Sequence, residues 1–111
     1  MHGAHYAALL ESSERCVEVG ERCLEHCQEM LEKNDESMGA CTKATEDLVK
    51  ACEELAKLAG TESAQTPELA AEVARVCEQC QKECDKFPSI EECKECAEAC
   101  QECAEECEKV A

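Results

Sequence analysis

Small and apolar residues recur three and four positions apart along most of the chain, with Glu, Lys and Gln filling the positions between them. That is the period of one helix face, so the pattern predicts amphipathic helices and no strands. A first helix is expected from about Ala4 to Lys33, with an irregularity at Ser12–Ser13. It stops at Asn34-Asp35, because Asn tolerates the left-handed conformation that ends helices. A second runs from about Ser37 to Ala59 and ends at Gly60, the favoured residue just past a helix. After the polar connector Thr61 to Gln65, Thr66-Pro67-Glu68 supplies an N-cap, a proline at the first helical position and an acid at the positive dipole end. The third helix should continue to about Lys86, where Phe87-Pro88 breaks it. Ser89-Ile90-Glu91-Glu92 reads as a capping box opening a fourth helix that reaches about Lys109.

Four helices of about 20 residues or more, ~30 Å each, joined by short connectors, predict an all-α, antiparallel up-down-up-down four-helix bundle. Residues 1–111 form one domain on this reading. The inward positions are unusual. In the second helix Cys41, Thr45, Leu48, Cys52, Leu55 and Ala59 alternate steps of four and three. In the first, Cys16, Gly20, Cys23, Cys27 and Met30 share a face, and Cys77, Cys80 and Cys84 do so in the third. In the fourth, Cys93, Cys96, Cys100, Cys103 and Cys107 span about 80° of the helical wheel. All four helices are thus expected to send sulfur toward one axis, giving a cysteine-lined core.

Composition changes the picture in one respect. Leu, Val, Ile and Phe together are scarce, and with a net charge of −16 such a chain falls where low hydrophobicity predicts disorder. Buried cysteine behaves as a small hydrophobe, however, and counting the 13 cysteines restores an ordinary core. The 27 Asp and Glu against 11 Lys and Arg exclude nucleic acid as a partner and oppose an anionic membrane surface. No apolar run approaches the ~20 residues of a membrane span. No signal-peptide core follows Met1, so the chain is expected either to act in the cytosol or to be a mature exported form.

A dense set of cysteines also suggests a disulfide scaffold. Three features oppose it. Thirteen is odd, only four Gly and two Pro interrupt helix-forming sequence, and neighbours on a helix face have Cβ atoms ~5–6 Å apart, too far for a bridge. Buried thiols are neutral when empty, and metal must enter as protons leave. One monovalent ion per thiolate gives a neutral core, so the chemistry points to Cu(I), multiple ions, at roughly one per cysteine. Zinc needs four ligands in a tetrahedron and would have to recruit sulfurs from several helices; it remains an alternative, as do silver and a thiol redox or disulfide-exchange role. No Glu-x-x-His pair occurs, which excludes a di-iron bundle. The expected metal ligands are the 13 cysteines. His26, Met30 and Met38, near the first interhelical loop, read equally as a copper entry port or as ordinary packing and surface residues. His2 and His5 read as surface residues.

Three strings carry a resemblance: Met38-Gly39-Ala40-Cys41-Thr42-Lys43-Ala44-Thr45, Leu55-Ala56-Lys57-Leu58-Ala59-Gly60-Thr61 and Glu83-Cys84-Asp85-Lys86-Phe87-Pro88-Ser89-Ile90. With the cysteine register, they resemble the bacterial copper storage proteins, most closely the exported form of methane-oxidising bacteria. The resemblance covers nearly the whole chain. It implies Cu(I) held by cysteine pairs along a bundle, with His and Met ligands at one open end, which places His26, Met30 and Met38 in a port. It further implies homotetramers, a periplasmic mature form, no catalysis, and a role supplying copper to methane oxidation through an acceptor the sequence does not name. The chain departs from that pattern in its Glu-dense surface, as at Glu53-Glu54, Glu91-Glu92 and Glu105-Glu106, which reads as a redesigned surface around retained cysteines and loops. Lys33, one turn after Met30, stands where another soft ligand could serve.

Overall fold

The computed structural model describes residues 5–111, so His2 and the expected start at Ala4 lie outside the described residues. Its helices are α1 (Ala7–Glu32), α2 (Gly39–Gly60), α3 (Thr66–Cys84) and α4 (Glu91–Val110), with a short 3-10 turn at Glu36–Met38 before α2. Each helix packs on its two neighbours in the ring α1–α2–α3–α4–α1, while the backbones of the diagonal pairs stay apart and only side chains meet across the core. Short loops between ring neighbours give the antiparallel up-down-up-down bundle that the hydrophobic period predicts. It is elongated, about 49 × 19 × 18 Å between Cα extremes.

The loops show which local signals the chain uses. Asn34 takes the left-handed conformation, with φ of 66°, as its place after α1 requires. Beyond it, Asp35 accepts hydrogen bonds from both the backbone N–H and the hydroxyl of Ser37, which secures the 3-10 turn. Five expectations are corrected. Ser12 and Ser13 do not interrupt α1; their hydroxyls donate back to carbonyls of Leu9 and Leu10, so the polar groups are satisfied within a continuous helix. Gly60 stays inside α2, and Glu62 takes the left-handed position instead, with φ of 53°. Thr66 is not an N-cap: it is the first helical residue, fully buried, and its hydroxyl donates to the Ser63 carbonyl at 2.7 Å. Finally, Ile90 caps α4 in an extended conformation with no side-chain hydrogen bond, so the Ser89/Glu92 box does not form. Likewise α3 ends at Cys84, two residues short of Lys86, and the turn closes with the Phe87 N–H donating to the Cys84 carbonyl.

The core is polarised along its length. At the end holding the α2–α3 connector, Leu9, Leu55, Ala59, Ala70 and Val73 form an aliphatic plug, all at most 2% exposed. From the middle to the opposite end, which holds the α1–α2 and α3–α4 loops, cysteines dominate the interior, with Thr45, Leu48 and Met38 among them. Outside, Arg15 and Glu102, and Arg22 and Glu95, pair across α1 and α4 at 3.3 Å. Such exposed pairs contribute only tenths of a kcal/mol, roughly. No helix among the described residues is long and apolar enough to cross a membrane.

Candidate metal centre

The i, i+3/i+4 stripes of all four helices converge, and every one of the 13 cysteines is a free thiol inside the protein. Twelve of their side chains have no solvent exposure and Cys84 has 1%. The sulfurs form layers. Cys16, Cys52, Cys77 and Cys103 contribute one from each helix, their Sγ atoms all within 4.8 Å of one another, next to the aliphatic plug. Near the two-loop end, Cys23 and Cys27 of α1, Cys41 of α2 and Cys93 of α4 make a second four-sulfur set within the same distance. Two trios lie between, Cys23/Cys84/Cys96 and Cys80/Cys96/Cys100. Only Cys107, one turn past Cys103, belongs to no such group.

Individual distances are short for non-bonded sulfurs. Cys27 and Cys41 lie 3.7 Å apart, Cys41 and Cys84 3.8 Å, and Cys23 and Cys27 4.0 Å. Cys80 lies 3.9 Å from both Cys84 and Cys96. These are hydrogen-bonding contacts between thiols, far beyond the ~2.05 Å of a disulfide. One oxygen joins them: the Thr45 hydroxyl, fully buried, donates to the Cys41 carbonyl at 2.7 Å and lies 3.7 Å from the Cys80 sulfur. The Cys16 thiol donates to the Ala99 carbonyl at 3.2 Å.

Among the described residues no buried cation accompanies the thiols, and burial disfavours the thiolate at all 13. Eight are pushed upward, first by proton sharing with a neighbouring sulfur and then by burial: Cys27, Cys52, Cys77, Cys84, Cys93, Cys96, Cys100 and Cys107. The others move down because neighbours donate to them: Cys27 to Cys23, Cys100 to Cys16 and Cys80, Cys107 to Cys103, and Cys27 with Cys84 to Cys41 against an opposing pull from Cys23. A charge on one sulfur is therefore held at its neighbours' expense. Cations are what would let the whole set ionise together.

The remaining candidates differ in how near they come to the thiols. Met38 is buried at the two-loop end and belongs to the same core cluster as the cysteines, while Met30 packs against that cluster half-buried. His26 is also half-buried, but its Nδ1 faces a Glu92 carboxylate oxygen at 3.9 Å, and it joins none of the converging groups. His5 is exposed, its ring edge against Tyr6. A feature not foreseen from sequence is a groove of about 400 Å³ between α3 and α4, lined by Gln81, Cys84, Asp85, Lys94 and Glu98, at whose floor Cys84 is 1% exposed.

A sequence model described as Csp, copper storage protein, matches residues 2–111. The chain belongs to the copper storage protein family. No curated protein matches it. Copper is thus the cargo that family membership assigns, and the buried thiol groups are metal-binding clusters in the core of a copper storage protein. Membership of a storage family also indicates binding rather than catalysis. The burial of every thiol agrees, because disulfide exchange needs an accessible sulfur.

Proposed function

We propose that the protein stores Cu(I), at roughly one ion per cysteine, through thiolates of all 13 cysteines, with His26, Met30 and Met38 receiving copper at the two-loop end. The observation that carries this reading is a core of reduced, mutually touching sulfurs without a compensating charge. Each entering Cu(I) replaces one proton, so the interior stays neutral at every stage of filling. Soft thiolate matches a soft monovalent ion, and shared sulfurs 3.7–4.0 Å apart let one thiolate serve two ions.

The two four-sulfur layers favour a second reading in part. A tetrahedral zinc site with Zn–S of ~2.3 Å has sulfurs ~3.8 Å apart, close to the distances here. Yet four thiolates around one divalent ion leave two negative charges in a core without cations, and the trios and Cys107 would stay unused. Cu(I) accounts for every sulfur.

Anaerobic titration against a Cu(I) chelator tests this directly. Storage predicts near-stoichiometric uptake approaching 13 ions per chain, with one proton released per ion. Uptake ending at two ions, with zinc preferred, would support the tetrahedral reading instead.

A further inference from the structure

The sulfur column has a waist. Between its two four-thiol layers, α1 contributes Gly20 and α2 contributes Thr45 and Leu48, none of them a soft ligand. These two helices close on each other there: a Cβ on Gly20 would meet Val49 Cγ2 at 3.0 Å and Leu48 Cδ2 at 3.5 Å. The Thr45 hydroxyl proton is already committed to the Cys41 carbonyl. Sulfur continues through this level only on the opposite wall, as Cys80 of α3 with Cys96 and Cys100 of α4, whose Sγ atoms lie within 4.8 Å of one another.

We propose that Cys80, Cys96 and Cys100 form the relay by which Cu(I) crosses between the outer thiol layer and the inner one beside the aliphatic plug. The inference rests on the reading of the core as a Cu(I) store. On the outer side the relay is continuous, from Cys41 to Cys84 at 3.8 Å, Cys84 to Cys80 at 3.9 Å, and Cys80 to Cys96 at 3.9 Å. On the inner side Cys100 lies one turn of α4 before Cys103 of the inner layer, and the Cys16 thiol donates to the carbonyl of the adjacent Ala99 at 3.2 Å. Along α1, by contrast, the step from Cys23 to Cys16 is seven residues, ~10 Å, and along α2 from Cys41 to Cys52 it is eleven, ~16 Å. Leu9, Leu55 and Val73 seal the inner layer from the far end.

Each transfer is a ligand exchange. A bond forms from copper to the incoming sulfur and one breaks to the outgoing sulfur. The proton of the incoming thiol passes to the released thiolate, and copper stays monovalent throughout.

The test compares anaerobic Cu(I) loading rates of the full chain and the triple variant Cys80→Ser/Cys96→Ser/Cys100→Ser, quenched at intervals with a chelator. A second variant, Cys16→Ser/Cys52→Ser/Cys77→Ser/Cys103→Ser, lacks the inner layer and assigns its phase. Loading of that phase in the triple variant should slow roughly tenfold or more, the change that about 1.4 kcal/mol on a barrier produces. The outer phase should keep its rate. Adding Thr45→Cys and Leu48→Cys to the triple variant builds a new thiol path along α2 and should restore the inner phase. Inner loading at the unaltered rate in the triple variant overturns the relay. So does a slow phase that the α2 thiols fail to recover, since it would reflect a damaged core. If the unaltered chain itself takes up few Cu(I) ions, the storage reading has failed, an outcome distinct from both.

Discussion

Replacing Gly20 with alanine sets two effects against each other. Alanine favours a helix interior over glycine by about 1 kcal/mol. The added methyl would press on Val49 Cγ2 at 3.0 Å, with Leu48 in ordinary contact at 3.5 Å, and overpacking costs about 1–3 kcal/mol. Val49 is buried and β-branched, with one strongly preferred rotamer in a helix, so we expect Gly20→Ala to destabilise the metal-free protein by about 1 kcal/mol. Urea unfolding under reducing conditions reads this directly; a stabilised variant would mean that α1 and α2 separate easily at the waist. The port residues call for kinetics instead. Met38 is packed with the thiols at the two-loop end and His26 stands outside them, so Met38→Ala and His26→Ala should slow Cu(I) uptake while lowering capacity by no more than about one ion each. If neither changes the rate, entry by way of Cys84 and the α3–α4 groove becomes the better account.

At the scale of elements, the helix ends separate what sequence can say from what it cannot. The stripes were legible because a buried helix face must repeat every three or four residues, and Cys77, Cys80 and Cys84 fall inside exactly where that period puts them. Capping depends instead on backbone angles at one or two residues, which neighbouring packing decides. Ser89 fits the box pattern, yet Ile90 starts α4 from an extended conformation and leaves that hydroxyl unused as a cap. Asp35, which the pattern marked only as part of the stop after α1, holds both the N–H and the hydroxyl of Ser37. Paired substitutions follow from this. Asp35→Ala should cost about 1 kcal/mol, the usual value of a lost cap, and Ser89→Ala should be neutral within a few tenths, about the noise of a thermal melt. Equal losses at both sites would show that the box forms in solution. The waist was legible only in part: Gly20, Thr45 and Leu48 stand in the cysteine registers of α1 and α2, but that they share one level depends on how antiparallel helices align.

For the whole molecule, thirteen thiols without a cation make stability depend on pH in a definite direction. The eight sulfurs held above the ordinary thiol range keep their protons in the folded protein after the unfolded chain has begun to lose them, near pH 8.5. Above that pH the unfolded state binds fewer protons than the folded one, so stability falls as pH rises, by up to about 1.4 kcal/mol per pH unit for each such thiol. The five sulfurs lowered by their neighbours are lowered at those neighbours' expense while burial opposes their thiolates too, so the proton is shared within the core and they add no slope on the alkaline side. The Cu(I)-loaded protein carries the same surface charges and serves as the control. Its thiols have already given up their protons to solvent on binding metal and cannot contribute a second time. The metal-free protein should therefore show urea midpoints that drop steadily from pH 8 to pH 10 at constant slope, while the loaded protein holds its midpoint over most of that range. Parallel curves for the two forms would mean that the buried thiols ionise as freely as exposed ones, and a core with that property would need no metal to become charged.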